Sequence, residues 1–406
     1  MKVLRVCNPY PAYLSAFYFR NPDLASASSS AQYSALADDA FAGLGQWEQH
    51  FPASGWQAKE IVANCEPLRR AWAKENAFDL ADGDWREATL LAEAKAFAPE
   101  FVLFQDYSTF SPEWIRYFRS EVPSVRKIAV WCGAPYKAIS QLTACDAGIS
   151  CVPELLDRFL APGLSPYLLS HSFDERVLRR AQLASSPQIP FSFIGQILVG
   201  KGFHKERERI LRALAEKVEI QIFSPSGKFG LADWLKYRIK STGFNLRESL
   251  SLPRELPGML GKILPATMPM IPLPRSLRKK IQPGVYGLEM YRTLSNSRVT
   301  LNNHIELSTR SASNMRLFEA TGMGACLLTD AKPNLKSFFS DDEVVSYAGI
   351  ADCLEKAEWL LSHKVEAAEI AQRGQKRTLR DHTFAQRVPV LKKIIEKIMA
   401  GERLAP

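Results

Sequence analysis

The chain has 406 residues, 46% hydrophobic and 23% charged, an ordinary globular composition with length enough for two domains. An aromatic content of 10% excludes global disorder, and no run approaches the ~18 apolar residues of a membrane span. The net charge is +9, and +8 of it falls between Lys228 and Lys280, where eleven Lys/Arg face three acids. The body is therefore nearly neutral, and the basicity belongs to one segment. Seven scattered cysteines without CxxC spacing read as reduced thiols, and the first residues lack the apolar stretch of a signal peptide. A cytoplasmic location is expected.

Taken in chain order, residues 2–7 form an apolar run of strand length, followed by helical pattern over 31–51. Strands are predicted at 58–63, 101–105, 127–131, 147–151 and 167–169, with helices at 66–75, 90–97 and 112–119 between them. Around 173–190 the pattern pauses in Ser185-Ser186-Pro187 and Pro190, a linker signal. It restarts with strand 191–194 ending in Gly195, helix 205–217 and strand 219–223. Beyond the basic stretch come helix 287–294, strand 299–302, helix 313–321 and strands 325–329 and 344–347. Helices at 350–362, 365–379 and 390–400 close the chain. Strand–helix alternation of this kind predicts parallel sheets covered on both faces, here in two successive α/β units. The expected division is 1–172, a linker at 173–190, and 191–387 with a basic insertion at about 228–280. A final helix in 388–406 is expected to cross back to the first domain. Ligands are expected at the carboxyl ends of the strands, in the cleft between domains.

The stretch 301–330 parses as strand, polar loop, helix, glycine turn, strand. Ser311 and Ser313 are candidate caps for a helix whose first amides would attract an anion. Arg316 lies one turn in, suited to a phosphate, and Glu319 follows on the same face, suited to a pair of ribose hydroxyls. The bland reading of the same residues is a helix with an internal Arg–Glu pair. Gly322-Met-Gly324 follows a helix and precedes a strand, the reverse of a dinucleotide fingerprint, so a nicotinamide dehydrogenase is disfavoured. No P-loop, metal-ligand spacing or GxSxG elbow is present.

The run NMRLFEATGMGACLLTD resembles the C-terminal domain of GT-B glycosyltransferases, most closely the CgeB-like (spore-maturation-protein-type) family. The likeness extends over Gly287–Tyr291, Ser297–Asn302, Glu343–Tyr347, Ile370–Gly374 and His382–Arg387, and over Phe191–Gly195 with His204 and Arg207. In residues 1–170 it is looser, chiefly Gly55–Asn64 followed by Trp72. The resemblance implies a GT-B fold of two Rossmann-like domains. It implies transfer of a sugar from a nucleotide-sugar donor to a glycan, lipid-linked or protein acceptor, with no essential metal or other cofactor. By that resemblance Glu319 holds the donor ribose, Asn314 and Arg316 lie near the diphosphate, and the loop before Gly287 lies near the base. Many retaining members carry a second glutamate eight positions upstream of this one; here Ser311 stands there, which leaves the stereochemistry open.

A transferase of the inverting type needs a general base, and either type must stabilise a departing diphosphate. Asp106, at the end of strand 101–105, is the chosen base, with a turn cap as its bland alternative and His50, Asp38 and Asp39 as further candidates. His304, just beyond a strand end, is the candidate contact to donor phosphate or sugar, and Arg207 a second cation for the diphosphate. Trp131 is a candidate sugar-stacking ring or a core residue, and His171 a donor-side contact or a junction residue. The basic segment 228–280 suits an anionic membrane surface, a cover over an anionic ligand, or a solvated insertion. Nucleic acid is not expected, since no recognition motif accompanies the charge. The rival reading is a catalytically silent GT-B scaffold, against which the Asn314, Arg316 and Glu319 set argues.

Overall fold

The structure, a computed structural model, describes residues 1–80, 84–106, 108–133, 142–160, 163–198, 205–226, 231–250, 258–265, 273–306 and 308–402. Six strands build the first sheet: β1 (Lys2–Cys7), β2 (Gln57–Val62), β3 (Phe101–Phe104), β4 (Lys127–Trp131), β5 (Ala147–Ser150) and β6 (Ser165–Leu168). Their order is β2-β1-β3-β4-β5-β6, all parallel. The second sheet uses β7 (Ile189–Ile194), β8 (Gln221–Phe223), β9 (Ile281–Gln282), β10 (Ser297–Asn302), β11 (Cys326–Asp330) and β12 (Val345–Tyr347). Its order is β12-β11-β10-β7-β8-β9, again all parallel. Runs such as Phe101–Phe104 and Cys326–Asp330 are buried throughout because helices cover both faces of each sheet. Each sheet has one point where strand order reverses, between β1 and β3 and between β7 and β10. These two points fix where ligand chemistry can sit.

Six hydrophobic clusters are found among the described residues. One of them joins Val3, Phe101, Ala129 and Ile149 of the first sheet to Val388, Leu391, Ile395 and Ile398 of the last helix, Phe384–Ala400. The chain thus returns to its first domain after completing the second. That helix starts six residues before the expected 390, because a Thr383/Gln386 capping box opens it upstream of Pro389. Outgoing and returning chains meet where Phe173 bridges Thr383, with the Phe173 amide donating to the His382 carbonyl (2.8 Å).

The expected helix 31–51 is broken. Helix Ser29–Asp38 ends, Ala40, Ala42, Gly43 and Gly45 take positive φ, and a short helix Gln46–His50 follows. The cause lies in the sheet. Arg5 on β1 faces Glu60 on β2 in register, and the pair is buried at 2.6 Å. The remaining Arg5 donors reach the Gly43 and Ala42 carbonyls, and Glu60 also accepts from the Trp47 amide (3.0 Å). This buried pair holds the looped segment in shape. Helix Pro11–Arg20 was not anticipated from the sequence pattern.

Candidate active site

The carboxyl ends of the two sheets face each other. On one rim Asp39 Oδ1 accepts from the Leu288 amide (3.2 Å), and Arg20 Nη1 lies 3.1 Å from Glu289. Gly287 has φ +55°, and a Cβ there would meet Asp39 Oδ2 at 1.9 Å, so only glycine permits this contact. Gly287 therefore sits at a domain–domain contact. Burial pushes Asp39 up to about 6, against the Leu288 amide and the Arg20 charge. On the other rim the Arg310 amide donates to Glu154 (2.8 Å).

Between these rims lies the helix Arg316–Gly322, at the β7/β10 reversal point. It opens at Arg316, not at 313, and the serines do not cap it: Met315 stands at the cap position. Instead the Ser313 amide donates to His304 Nε2 (3.1 Å), while the Ser308 hydroxyl bonds both the Ser313 hydroxyl (2.6 Å) and the Ser311 carbonyl. His304 Nδ1 pairs with Asp330 Oδ1 at 2.7 Å. With Nε2 accepting, Nδ1 must carry the proton, and both ring nitrogens are occupied. His304 accordingly holds the loop to the end of β11. Burial alone would raise Asp330, but the His304 hydrogen bonds and the Lys332 charge outweigh it and bring it below the usual range.

Arg316 Nη1 lies 2.9 Å from Glu319 Oε2, so the internal pair exists, with Glu319 buried and Arg316 half-buried. Nη2 reaches toward the Ile194 carbonyl at the end of β7 (3.5 Å). Burial pushes Glu319 above its ordinary value, with the Arg316 charge opposing it. Asn314 donates to Asn302 Oδ1 (2.7 Å), which ties the loop to β10. Three buried polar atoms here lack a hydrogen-bond partner: Arg316 Nε, Asn314 Oδ1 and Asn303 Oδ1. Each such group costs about 1–3 kcal/mol unless something satisfies it.

Arg207 spans the reversal point, donating to the Gln196 carbonyl (3.1 Å) and the Asn303 carbonyl (2.6 Å) over the Phe193 ring. Burial draws it down to about 10. Gly195 follows β7, and a Cβ there would crowd the Phe193 ring at 3.0 Å. His204 lies outside the described residues. The two glycines after the helix have separate causes. A Cβ at Gly322 would meet the Phe173 ring at 2.5 Å, and Gly324 has φ +80°.

In the first domain Asp106 follows β3, at that sheet's own reversal point. Its Oδ1 accepts from the Ser108 amide (2.9 Å) and hydroxyl (2.8 Å), and its Oδ2 accepts from the Thr109 hydroxyl. Both oxygens thus shape a turn. Trp131 and His171 stand together, ring centroids 5.3 Å apart, beside a small interdomain cavity of about 90 Å³ that Gln105, Met315 and Arg387 also line. Burial first, then the Arg387 charge, pull His171 down to about 4, which keeps it neutral.

Two features escaped the sequence pattern. Tyr10, just past β1, is 66% exposed, and its phenol is pushed up by lost solvation and by the Glu319 and Asp106 charges from opposite sides of the cleft. A groove of about 810 Å³ opens beyond β1 and β2, lined by Tyr18, Asn64, Glu66 and the half-buried Trp85. Asn64 Oδ1 is a further unpartnered buried atom there. The position of Trp85 one residue after the helix-capping Asp84 was the available signal. Among the described residues, no group of three or more His, Cys, Asp or Glu could hold a metal ion, and no helix is long and apolar enough to cross a membrane.

Two parallel α/β domains facing across a cleft, with the polar site at the second reversal point, define the GT-B architecture of glycosyltransferases. Residues 205–393 match a family described as glycosyl transferase-like. Among solved structures the chain is similar to sucrose-phosphate synthase from Thermosynechococcus elongatus, at 10% identity over 99% of this chain and 100% of that one, TM-score 0.52. It is also similar to a glycosyltransferase from Rickettsia africae (9% identity, 98% of each chain, TM-score 0.52). HepE of Anabaena in complex with UDP-glucose matches at 11% identity over 98% and 100%, TM-score 0.51. At such identities the likeness is one of fold. No curated protein matches the sequence.

Proposed function

We propose that the protein is a glycosyltransferase of the CgeB-like kind, moving a sugar from a nucleoside-diphosphate sugar to a glycan, lipid-linked or protein acceptor without an essential metal. One observation carries this reading: the unpartnered Arg316 Nε and Asn314 Oδ1 lie buried beside the Arg316–Glu319 pair, at the point where the second sheet reverses. A ligand bearing hydroxyls and phosphates supplies the missing partners. Glu319 and Asn314 Oδ1 accept from hydroxyls of the ligand, while Arg316 Nε donates to the diphosphate and stabilises it as it departs. The fold shared with HepE, a protein solved with UDP-glucose, supports a donor of that class.

On the acceptor side, the groove beside Trp85 and Tyr18 offers ring faces and polar atoms of the kind a sugar engages. Asp106 is the group at the cleft from which a general base is drawn, while the Tyr10 phenol, pushed above its ordinary value, stays protonated and serves as a hydrogen-bond donor. Asp106 can act as a base while keeping its Ser108 and Thr109 donors, since its two oxygens offer about four acceptor sites.

Calorimetric titration with UDP, and with other nucleoside diphosphates, tests the reading. Saturable binding that weakens in Glu319→Gln supports it. An absence of binding to any nucleoside diphosphate overturns it in favour of a silent scaffold.

A further inference from the structure

The segment between β8 and β9 carries most of the chain's excess charge, and the transfer reaction uses none of it. Its described part is a helical hairpin, Leu231–Ser249 followed by Gly258–Ile263, and then a short helix, Arg275–Arg278, ahead of β9. Lys228, Arg254 and Glu255 lie outside the described residues. The two helices meet through backbone: a Cβ at Gly243 would fall 1.9 Å from the Ile263 carbonyl, and Arg247 donates to the Leu264 carbonyl (2.7 Å). Closing the hairpin in this way leaves its large apolar side chains free of that contact.

They are exposed. Leu235, Ile239, Leu246 and Leu250 follow one another at steps of four, seven and four residues, which places them on one side of the longer helix. Each is between 49% and 59% exposed, and Met259 on the second helix reaches 76%. Exposed Lys236 and Lys240 fall along one margin of this stripe. Arg238 stands over the Trp234 ring, 5.1 Å from its centroid, on the other margin. Asp233 and Glu248 fall on the opposite side by helical spacing. An apolar stripe with cationic margins, and its acids turned away, complements a surface that is apolar within and anionic at its face.

We infer that this hairpin docks the protein on an anionic lipid bilayer, with the Leu235–Leu250 stripe entering the headgroup boundary and Lys236, Arg238 and Lys240 meeting the lipid phosphates. The inference does not depend on the transfer reaction, because no residue of the hairpin belongs to the donor site. Docking would bring the cleft beside lipid-linked substrates, and its charge component weakens with salt.

Flotation of the full chain with vesicles tests it, using equimolar phosphatidylcholine and phosphatidylglycerol against pure phosphatidylcholine. Binding is expected to the mixed vesicles alone, and to fall ~10–100-fold in the double variant Ile239→Ser/Leu246→Ser. Both side chains are exposed, so this variant should keep the wild-type thermal unfolding midpoint, which separates lost docking from lost fold. Charge reversal by Lys236→Glu/Lys240→Glu should abolish the preference for anionic lipid. The inference is overturned if the wild type fails to float, or if the apolar variant floats equally well. It is also overturned if light scattering shows a dimer that the apolar variant dissolves while no vesicle binding occurs, since the stripe would then face a second copy of the chain.

Discussion

Arg316 and Glu319, one helical turn apart, form an ion pair of 2.9 Å at the end of β7, with Glu319 buried and Arg316 half-buried at the cleft. A pair so placed is a poor stability device, because desolvating two charges offsets most of their attraction. Its position gives it another use: each partner can exchange the other for a ligand group of opposite sign. Glu319→Gln keeps the shape and removes the charge. It is expected to weaken nucleoside-diphosphate binding ~10–100-fold by calorimetry, with a comparable fall in kcat/KM. Glu319→Ala leaves the half-buried Arg316 without its carboxylate and should cost about 1–3 kcal/mol in denaturant unfolding. Full binding in the glutamine variant would remove Glu319 from the site.

His304 separates two kinds of histidine. Since Nδ1 pairs with Asp330 and Nε2 accepts from the Ser313 amide, both ring nitrogens are engaged in holding the loop. His304→Gln should lower kcat ~10-fold while leaving both limbs of the pH–rate profile in place. Disappearance of one limb would make His304 the acid or base after all.

Asp39 gives the domain contact a pH dependence. Its folded value of about 6 lies above the ordinary carboxylate value of ~3.9, so the folded state favours the protonated form. Its favourable contribution is complete below the unfolded value and is lost as the pH rises through about 6. Asp39→Asn is therefore expected to stabilise the protein at neutral pH, by about 1–3 kcal/mol, with the gain vanishing in acid. Thermal melts across pH read this directly, and a destabilised Asn variant at neutral pH would refute it.

Gly322 tests the packing behind the site. A Cβ there would fall 2.5 Å from the Phe173 ring, which sits in the second-domain core at the start of the linker. Gly322→Ala should cost about 1–3 kcal/mol in denaturant unfolding, as overpacking does. An unchanged midpoint would mean that the ring yields freely.

The sheets were legible because parallel strands buried on both faces spell themselves as apolar runs. Residues 127–131 were bounded as observed, and 101–105 to within one residue. Helix 205–217 was equally plain, since its apolar positions recur at helical spacing. The 31–51 region was not, because the pair that breaks it joins Arg5 to Glu60, residues 55 apart in sequence. The residues proposed for the donor side stand in one contiguous motif, yet their structural partners lie far off in sequence. His304 finds Asp330 26 positions away, and Leu288 finds Asp39 249 positions away. The turn around Asp106 is local, and there the bland reading of an aspartate after a strand matches the observed geometry.

The bridge from Phe173 to Thr383 has a mechanical consequence. Because both passages between domains run side by side, any opening of the two halves would turn, like book covers, on one short spine. Points near the spine, such as His171 and Met315, would then travel little, whereas the rims joined by Asp39 to Leu288 and by Glu154 to Arg310 would travel most. Ligand pockets commonly enclose ~300–1,000 Å³, far more than the 90 Å³ now held beside His171 and Met315. Entry of a large substrate on that side therefore means undoing one rim clasp. The Asp39 clasp holds by a group that titrates near 6, so acidity sets how firmly the book stays shut.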